Sequence, residues 1–161
     1  MYPIDMSGKN GVVFGVANQR SIAWVIARAL DEAGGRLAIT YQTERLAEGV
    51  KKLASTLKQP AITIRCDVTN ERELADTFNT LREEMGELSV LVHSIAFANR
   101  DDLGGDFSQT GLDGFRLTLE VSAYSFIAVV RHATPLMKQR GGSIVTMTFQ
   151  ASGRVFPGYN I

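Results

Sequence analysis

The sequence has little that points to a secreted, membrane or nucleic-acid-binding protein. It has one cysteine, Cys66, which excludes an internal disulfide and fits a reducing cytosol. Its 17 basic and 17 acidic residues cancel, so charge does not favour nucleic acid or an anionic membrane as partner. Residues 1–9 lack the apolar core of a signal peptide, and no apolar run approaches the length of a membrane span. We therefore expect a soluble, cytoplasmic protein with a single domain, residues 1–161.

The glycine pattern G-x-G-x-x-G is also absent, but residues 11–24 have a related organisation. Val12 to Phe14 predict the end of a buried strand, Gly15 permits a sharp turn, and Ser21 can cap the helix that follows. Such a turn can bind phosphate, because a helix N-terminus offers unpaired N–H groups and the positive end of its dipole. The same residues also fit an ordinary strand-to-helix connection, so further support must come from downstream.

Apolar strands and amphipathic helices alternate along the chain. The predicted strands after the first are residues 37–41, 61–66, 88–93 and 143–148, and the predicted helices between them are about 22–33, 43–57 and 70–85. Strands separated by helices of this length pair in parallel through right-handed crossovers. The pattern therefore predicts an α/β fold built on a doubly wound parallel sheet of five strands.

One irregular stretch and one long helical stretch lie between the fourth and fifth strands. Residues 98–111 are rich in Asn, Asp, Gly and Ser, which predicts a loop. Residues 112–138 have helical spacing but are apolar around most of the circumference. We expect this helix to be covered by its own sheet and by another molecule, which suggests an oligomer interface. Pro135 should kink or end it, since an interior proline costs about 3 kcal/mol.

In such a sheet a ligand binds outside the carboxyl ends of the strands, where the winding reverses beside the first strand. Gln42, after the second strand, could hydrogen-bond an adenosine ribose. Asp67, after the third, could accept from the adenine amino group while Val68 packs on the ring, although an Asp here also fits a simple turn before a helix. A 2′-phosphate would favour arginine, and Arg45 lies one turn into the helix, so the sequence favours NADH over NADPH.

Two histidines and the cysteine are candidates for other chemistry. His93 follows an apolar strand and His132 lies on the long helix, and neither has a second ligand at metal-binding spacing. We interpret both as structural residues and predict no metal site. Cys66 could be a reactive thiol, but a small buried side chain beside Asp67 is the simpler interpretation.

Several separate segments together resemble one known family, the bacterial enoyl-acyl-carrier-protein reductases. These form the divergent branch of the short-chain dehydrogenase/reductases that has a G-x5-S phosphate turn. The motifs fall in the family's order and spacing along the whole chain, which implies a Rossmann-like domain. The segments are residues 15–23, Tyr41-Gln42, Cys66-Asp67-Val68, His93 to Phe97 and Pro157 to Asn160.

The resemblance implies NADH-dependent reduction of a trans-2-enoyl thioester on acyl carrier protein, in fatty-acid elongation. Hydride would pass to C3, and Tyr159 would hydrogen-bond the carbonyl where the enolate forms. Taken alone, Tyr159 would be an ordinary loop tyrosine. By family pattern the diphosphate is held by Gly15, Ser21 and Ile22, the riboses and nearby backbone by Gln42, Ser94, Ile95 and Ala96, the adenine by Asp67 and Val68, and the substrate pocket includes Phe149 and Ala98.

The sequence departs from the family pattern in two ways. Phe149 occupies a position where many members have a second tyrosine, which affects the substrate pocket. The family's catalytic lysine would fall beyond Ile161. We therefore expect an N-terminal portion that lacks the C-terminal strands, with an open fifth strand and little turnover alone, in a protein that forms a homotetramer. The alternatives are another short-chain ketone or alcohol reductase and a non-catalytic dinucleotide-binding module.

Overall fold

The computed structural model describes residues 4–161 and confirms the predicted α/β fold. Strands and helices alternate as far as the fourth strand, and two consecutive helices then lead to the fifth. Short 3-10 turns occupy the predicted loop after the fourth strand. In chain order the elements are β1 (Asn10–Phe14), α1 (Ile22–Glu32), β2 (Arg36–Tyr41), α2 (Glu44–Ala54), β3 (Ile62–Arg65), α3 (Glu71–Met85), β4 (Val90–His93), α4 (Leu112–Leu119), α5 (Ser125–Met137) and β5 (Ser143–Thr146).

All five strands are parallel and lie in the order β3-β2-β1-β4-β5. The central strand β1 pairs with β2 on one side and β4 on the other, so that Val12 lies opposite Ala38 and Leu91. The chain runs outward from β1 to β3 and then returns to place β4 on the other side. The winding therefore reverses beside β1, the position at which such sheets bind ligands.

Successive side chains of β1 enter two different hydrophobic clusters, because side chains alternate across a strand. Val12 and Phe14 pack with α3 and α5 residues such as Phe78 and Val129. Val13 packs with α1 and α2 residues, among them Trp24. The central strands of the sheet are thus covered by a pair of helices on each face.

Two of the predicted helix ends are confirmed and one differs in detail. The Asn70 side chain accepts hydrogen bonds from the backbone N–H groups of Arg72 and Glu73, and Gly86 ends α3 with φ +74°. Ser21 is the cap residue of α1, but its side chain makes no capping bond. Its hydroxyl donates instead to the Asn18 carbonyl at 2.6 Å.

The long helical stretch is interrupted by a wider turn. Residues Glu120–Tyr124 form a π-helical turn that joins α4 to α5. Pro135 lies inside α5, which ends two residues later at Met137. The main irregularity therefore falls well before the proline, at a position where the sequence has no helix-breaking residue.

The fifth strand is the exposed edge of the sheet, as expected. Each residue of Ser143–Thr146 is exposed, including the apolar side chains of Ile144 and Val145. The strand is two residues shorter than predicted, and β4 begins at Val90 rather than Leu88 because the Leu88 N–H donates to Leu136 of α5. No helix within residues 4–161 has both the length and the hydropathy needed to cross a membrane.

Candidate functional site

A cleft of about 200 Å³ opens at the carboxyl edge of the sheet, where the winding reverses. Six of the residues predicted to bind a cofactor line it, namely Gly15, Gln42, Val68, Ser94, Ile95 and Ala96. Residues that were not predicted also contribute to its wall, among them Thr40, Cys66, Phe97 and Val121. The ends of four separate strands therefore converge on one cavity.

Gly15 is where the first turn touches the exit of β4. Its φ of +96° is a conformation that side chains disfavour, and a Cβ there would overlap the Ser94 carbonyl oxygen. The Val16 N–H donates to the Thr40 carbonyl at 3.0 Å, which ties the same turn to β2. The turn is thus held on both sides, and its backbone forms the floor of the cleft.

The start of α1 follows this turn. Because the Ser21 hydroxyl is turned back toward Asn18, no side chain of the cap satisfies the first-turn N–H groups. The Asn18 side chain accepts from the Arg20 N–H at 2.8 Å and closes the loop. Ile22, the first helical residue, is exposed. Neither Ser21 nor Ile22 lines the cleft itself, but the helix dipole and its free donors favour a negative group there.

Gln42 and Asp67 lie together at the β2 and β3 ends. The Gln42 amide Nε2 donates to Asp67 Oδ2 at 3.5 Å. Burial opposes ionisation of Asp67, but hydrogen bonds from the Thr69 N–H and hydroxyl and from Gln42 outweigh it, so the pKa of this carboxyl is lowered. Asp67 is therefore a carboxylate at neutral pH and can accept from a ligand amino group.

The segment that follows β4, Ser94 to Phe97, is hydrogen-bonded to the protein at both of its ends but not at the two residues between them. The Ser94 N–H donates to the Phe14 carbonyl at 3.2 Å. At Phe97 the Ser122 hydroxyl accepts from the backbone N–H at 3.0 Å and donates to the carbonyl at 3.1 Å. Within residues 4–161, the N–H groups of Ile95 and Ala96 donate to no protein acceptor. These two groups are available to a ligand in the cleft.

His93 lies buried behind this exit. The Ser125 hydroxyl donates to the Val121 carbonyl at 2.6 Å, so it must accept from His93 Nε2–H, which lies 2.8 Å away. Nδ1 then accepts from the Thr146 hydroxyl at 3.3 Å. Burial lowers the pKa of His93, and both ring nitrogens are paired, as expected for a structural histidine.

The other candidates also have structural surroundings. His132 contacts the Glu71 carboxylate at 2.8 Å and stacks on Phe78. Burial raises the pKa of the Cys66 thiol to about 11, so it is protonated at neutral pH. The part of the chain that the structure describes has no cluster of three or more His, Cys, Asp or Glu side chains that could hold a metal ion.

Tyr159 lies in a second cleft of about 430 Å³, which shares no lining residue with the first. Its ring lies 5.2 Å from that of Phe149, centroid to centroid, and Phe149 stacks on Phe156 at 5.1 Å. The structure thus brings together Tyr159 and Phe149, two of the residues predicted for the substrate side. The third, Ala98, is partly buried next to Phe97 and lines neither cleft.

Two site residues were missed at the level of sequence, Ser122 and Ser125. Their hydroxyls hold Phe97 and His93, on either side of the cleft-lining segment. The only signal for them was the presence of two serines three residues apart in a strongly apolar helix.

The strand order, the reversal beside β1 and the cleft at that point define a Rossmann-like α/β domain. Comparison with known proteins places it more narrowly. A family described as enoyl-(acyl carrier protein) reductase matches residues 15–161. The chain belongs to this enoyl-(acyl carrier protein) reductase family.

Individual relatives cover nearly the whole chain. An enoyl-(acyl-carrier-protein) reductase (NADH) of Bacillus cereus is 49% identical over 157 residues, and that of Bacillus subtilis is 48% identical over 158. These matches cover 97% and 98% of this chain but 61% of each relative. The chain thus spans about three fifths of the length of these relatives.

Solved structures agree with the fold. A crystal structure of the Bacillus cereus reductase with NADP+ and an indole naphthyridinone has a TM-score of 0.93, covering 97% of this chain and 61% of that one. The reductase of Anaplasma phagocytophilum in complex with NAD is 39% identical, with a TM-score of 0.91, and the match covers 96% of this chain and 58% of that one.

Proposed function

We propose that this chain is the NADH-binding part of an enzyme that reduces trans-2-enoyl thioesters of acyl carrier protein, in the cytoplasm. The observation that carries the proposal is the meeting of Gly15 and Ser94 in a cleft at the winding reversal. Membership of the reductase family and the names of the relatives support the reaction. The single protonated Cys66 thiol fits a reducing compartment.

The cleft suits a dinucleotide without any basic side chain. Gly15 has no side chain and lines the cleft, and the turn leads directly into the open N–H groups of α1, so a diphosphate can bind to this backbone. Ile95 and Ala96 offer free peptide N–H groups to a ribose. Asp67, held ionised, does not line the cleft itself but lies between Cys66 and Val68, which do, and next to Gln42, so we assign the adenine to this side. We propose residues 1–161 as one dinucleotide-binding domain on these grounds.

NADH is preferred to NADPH in this proposal. The Gln42 amide nitrogen is directed to Asp67, which leaves the Gln42 carbonyl oxygen to accept from a ribose hydroxyl. A 2′-phosphate placed here would carry roughly −1.5 to −2 charges and meet the Asp67 carboxylate, while the guanidinium of the neighbouring Arg65 is already paired with Glu73 at 2.8 Å.

The chemistry is divided between cofactor and chain. When bound, NADH supplies a hydride to the substrate. The chain orients the nicotinamide ribose through Ser94 to Ala96, and Tyr159 donates a hydrogen bond to the thioester carbonyl, where negative charge develops. The Tyr159 side chain is about half exposed, and within residues 4–161 its hydroxyl has no protein partner, so it is free for that bond.

The apolar surface of α4 and α5 supports a homo-oligomer, which we propose to be a tetramer with acyl carrier protein as its substrate carrier. Five large side chains of α4, the π-helical turn and α5 are exposed, and we refer to them together as the exposed stripe. They are Leu112, Phe115, Leu119, Tyr124 and Ile127, each between 41% and 60% exposed. A contiguous apolar stripe on a surface is typical of a protein interface.

The reaction can be tested with a hybrid in which the remaining part of the Bacillus cereus enzyme follows Ile161. We expect this hybrid to oxidise NADH with crotonyl thioester and not with acetoacetyl thioester, and to use NADPH less well. Tyr159→Phe should lower kcat by about 100-fold, because it removes the donor at the developing charge. Oxidation driven by the acetoacetyl thioester would instead make the protein a ketone reductase, and no oxidation with either would make the chain a binding module.

A further inference from the structure

Two serines hold the cleft wall in place: Ser122, in the π-helical turn between α4 and α5, and Ser125, the first residue of α5. Ser122 hydrogen-bonds both the N–H and the carbonyl of Phe97, at 3.0 and 3.1 Å. Ser125 accepts from His93 at 2.8 Å. Because His93 and Phe97 flank Ser94 to Ala96, the two serines hold both ends of the segment that lines the cleft.

The geometry of the turn explains why Ser125 can make its contact. Backbone N–H groups at the Ser125 end of the turn donate to the carbonyls of Glu120 and Ala123, and Glu120 is five residues back. An α-helical bond would use Val121, four residues back. In this turn the Val121 carbonyl instead accepts the Ser125 hydroxyl at 2.6 Å, which fixes that hydroxyl as an acceptor for His93.

We propose that Ser122 is a positioning residue for the cofactor, acting through the peptide of Phe97; this rests on the proposed function. Ile95 and Ala96 line the cleft, and in the part of the chain that the structure describes their N–H groups donate to no protein acceptor. Their direction is set by the anchors at each end, Ser94 on Phe14 and Phe97 on Ser122. Beyond Phe97 the chain enters the irregular region 98–111, so Ser122 is the last anchor before that region.

Loss of the Ser122 hydroxyl should leave the fold intact, because Ser122 is only partly buried and belongs to neither hydrophobic cluster. The segment would then sample more conformations, and a bound cofactor would have to order it. The expected effect is weaker NADH binding with little change in stability. If Ser122 were only structural, its loss would lower stability and leave NADH binding almost unchanged.

The test compares residues 1–161 with Ser122→Ala, Ser122→Thr and Thr134→Ala. Thr134 is a matched control, since its hydroxyl donates to Val130 within α5 and contacts nothing in the cleft. Two quantities are measured: the Kd for NADH, and hydrogen exchange of the Phe97 N–H without cofactor. We expect Ser122→Ala to raise Kd roughly tenfold and to speed that exchange. Ser122→Thr keeps the hydroxyl, and both it and Thr134→Ala should stay within about twofold of wild type.

The outcomes separate this inference from the proposed function. Faster Phe97 exchange with an unchanged Kd would overturn the positioning role, and unchanged exchange would overturn the clamp itself. Failure of Ser122→Thr to restore affinity would also contradict a role for the hydroxyl. If the wild-type chain binds no NADH while its Phe97 N–H is protected, the proposed function fails and the link from Ser122 to the cofactor fails with it.

Discussion

At the scale of single residues, Gly15 has the least freedom to change. Its positive φ and its contact with the Ser94 carbonyl both exclude a side chain. Gly15→Ala should therefore cost about 1–3 kcal/mol of stability and push the first turn away from β4. We expect its Kd for NADH, measured by fluorescence titration, to rise at least tenfold.

The matched control for this change is Gly49→Ala. Gly49 lies inside α2 with open space around the position of a Cβ, so alanine should stabilise the helix by up to about 1 kcal/mol and leave the Kd unchanged. Equal affinities in the two variants would contradict a role for the Gly15 turn in binding.

His93 makes stability depend on pH. Burial lowers its pKa below the usual 6.5, so the unfolded chain binds a proton more readily than the folded one. The free energy of unfolding should then be fully retained above about pH 6.5 and decline as pH falls from there toward the folded pKa. Urea unfolding between about pH 7.5 and 5 should reveal this decline in the wild type and a smaller one in His93→Gln.

The second histidine provides a comparison for that experiment. His132→Gln removes the imidazole on α5 that contacts Glu71, and it leaves the His93 contacts with Ser125 and Thr146 in place. The decline due to His93 should persist in this variant. A decline that is the same in wild type and His93→Gln would refute the assignment.

Residue identities at strand ends could be predicted because parallel strands bring their carboxyl ends to one edge. Ser94 was assigned through the family resemblance, whereas this reasoning pointed to Gln42 and Asp67 without any contact information. It could not find Ser122, which is distant in sequence and lies in a helix with no polar pattern of its own. It also assigned Ser21 a side-chain cap, whereas the hydroxyl turns back to Asn18.

At the scale of elements, the long helical stretch is apolar on most sides because it has both a buried and an exposed apolar face: Val121 and Val129 are buried, whereas Leu119 and Ile127 are exposed. The exposed apolar residues are spaced by 3, 4, 5 and 3 positions, and the step of five spans Glu120–Tyr124. A π turn takes more residues than an α turn, so the stripe stays on one face only if the turn is included. If the whole stretch had 3.6 residues per turn, the same five exposed residues would be spread over about half of the helix circumference.

The exposed stripe predicts a change in assembly. Ile127→Glu places a charge on a side chain that is 56% exposed, within the proposed interface, and charge is usually excluded from the centre of interfaces. Sedimentation velocity should then detect smaller species than in the wild type. Val25→Glu on α1 is the control, because Val25 is 53% exposed and lies outside the stripe. A wild-type-like assembly in Ile127→Glu would argue against an interface on this stripe.

At the scale of the whole molecule, the fold follows from the order of apolar strands and amphipathic helices. Alternation as far as β4 dictates parallel pairing, and two helices on each face then cover the central strands of the sheet. Side chains alternate across β1, which is why this strand contributes to both hydrophobic clusters, one on each face of the sheet. The pattern could not predict that Tyr159 would lie in a cleft separate from the first one. The position of Tyr159 depends on irregular segments, which have no periodic sequence pattern from which their path could be predicted.

The central claim is that the cleft beside Gly15 holds the dinucleotide. Its most direct measurement is an NMR titration of isotope-labelled residues 1–161 with NADH, following every backbone amide. We predict the largest shifts at Gly15, Ile22, Gln42, Ile95 and Ala96, whose amides lie in the cleft or at the start of α1. Shifts concentrated on residues 151–161 around the second cleft, or no shifts at all, would contradict the claim.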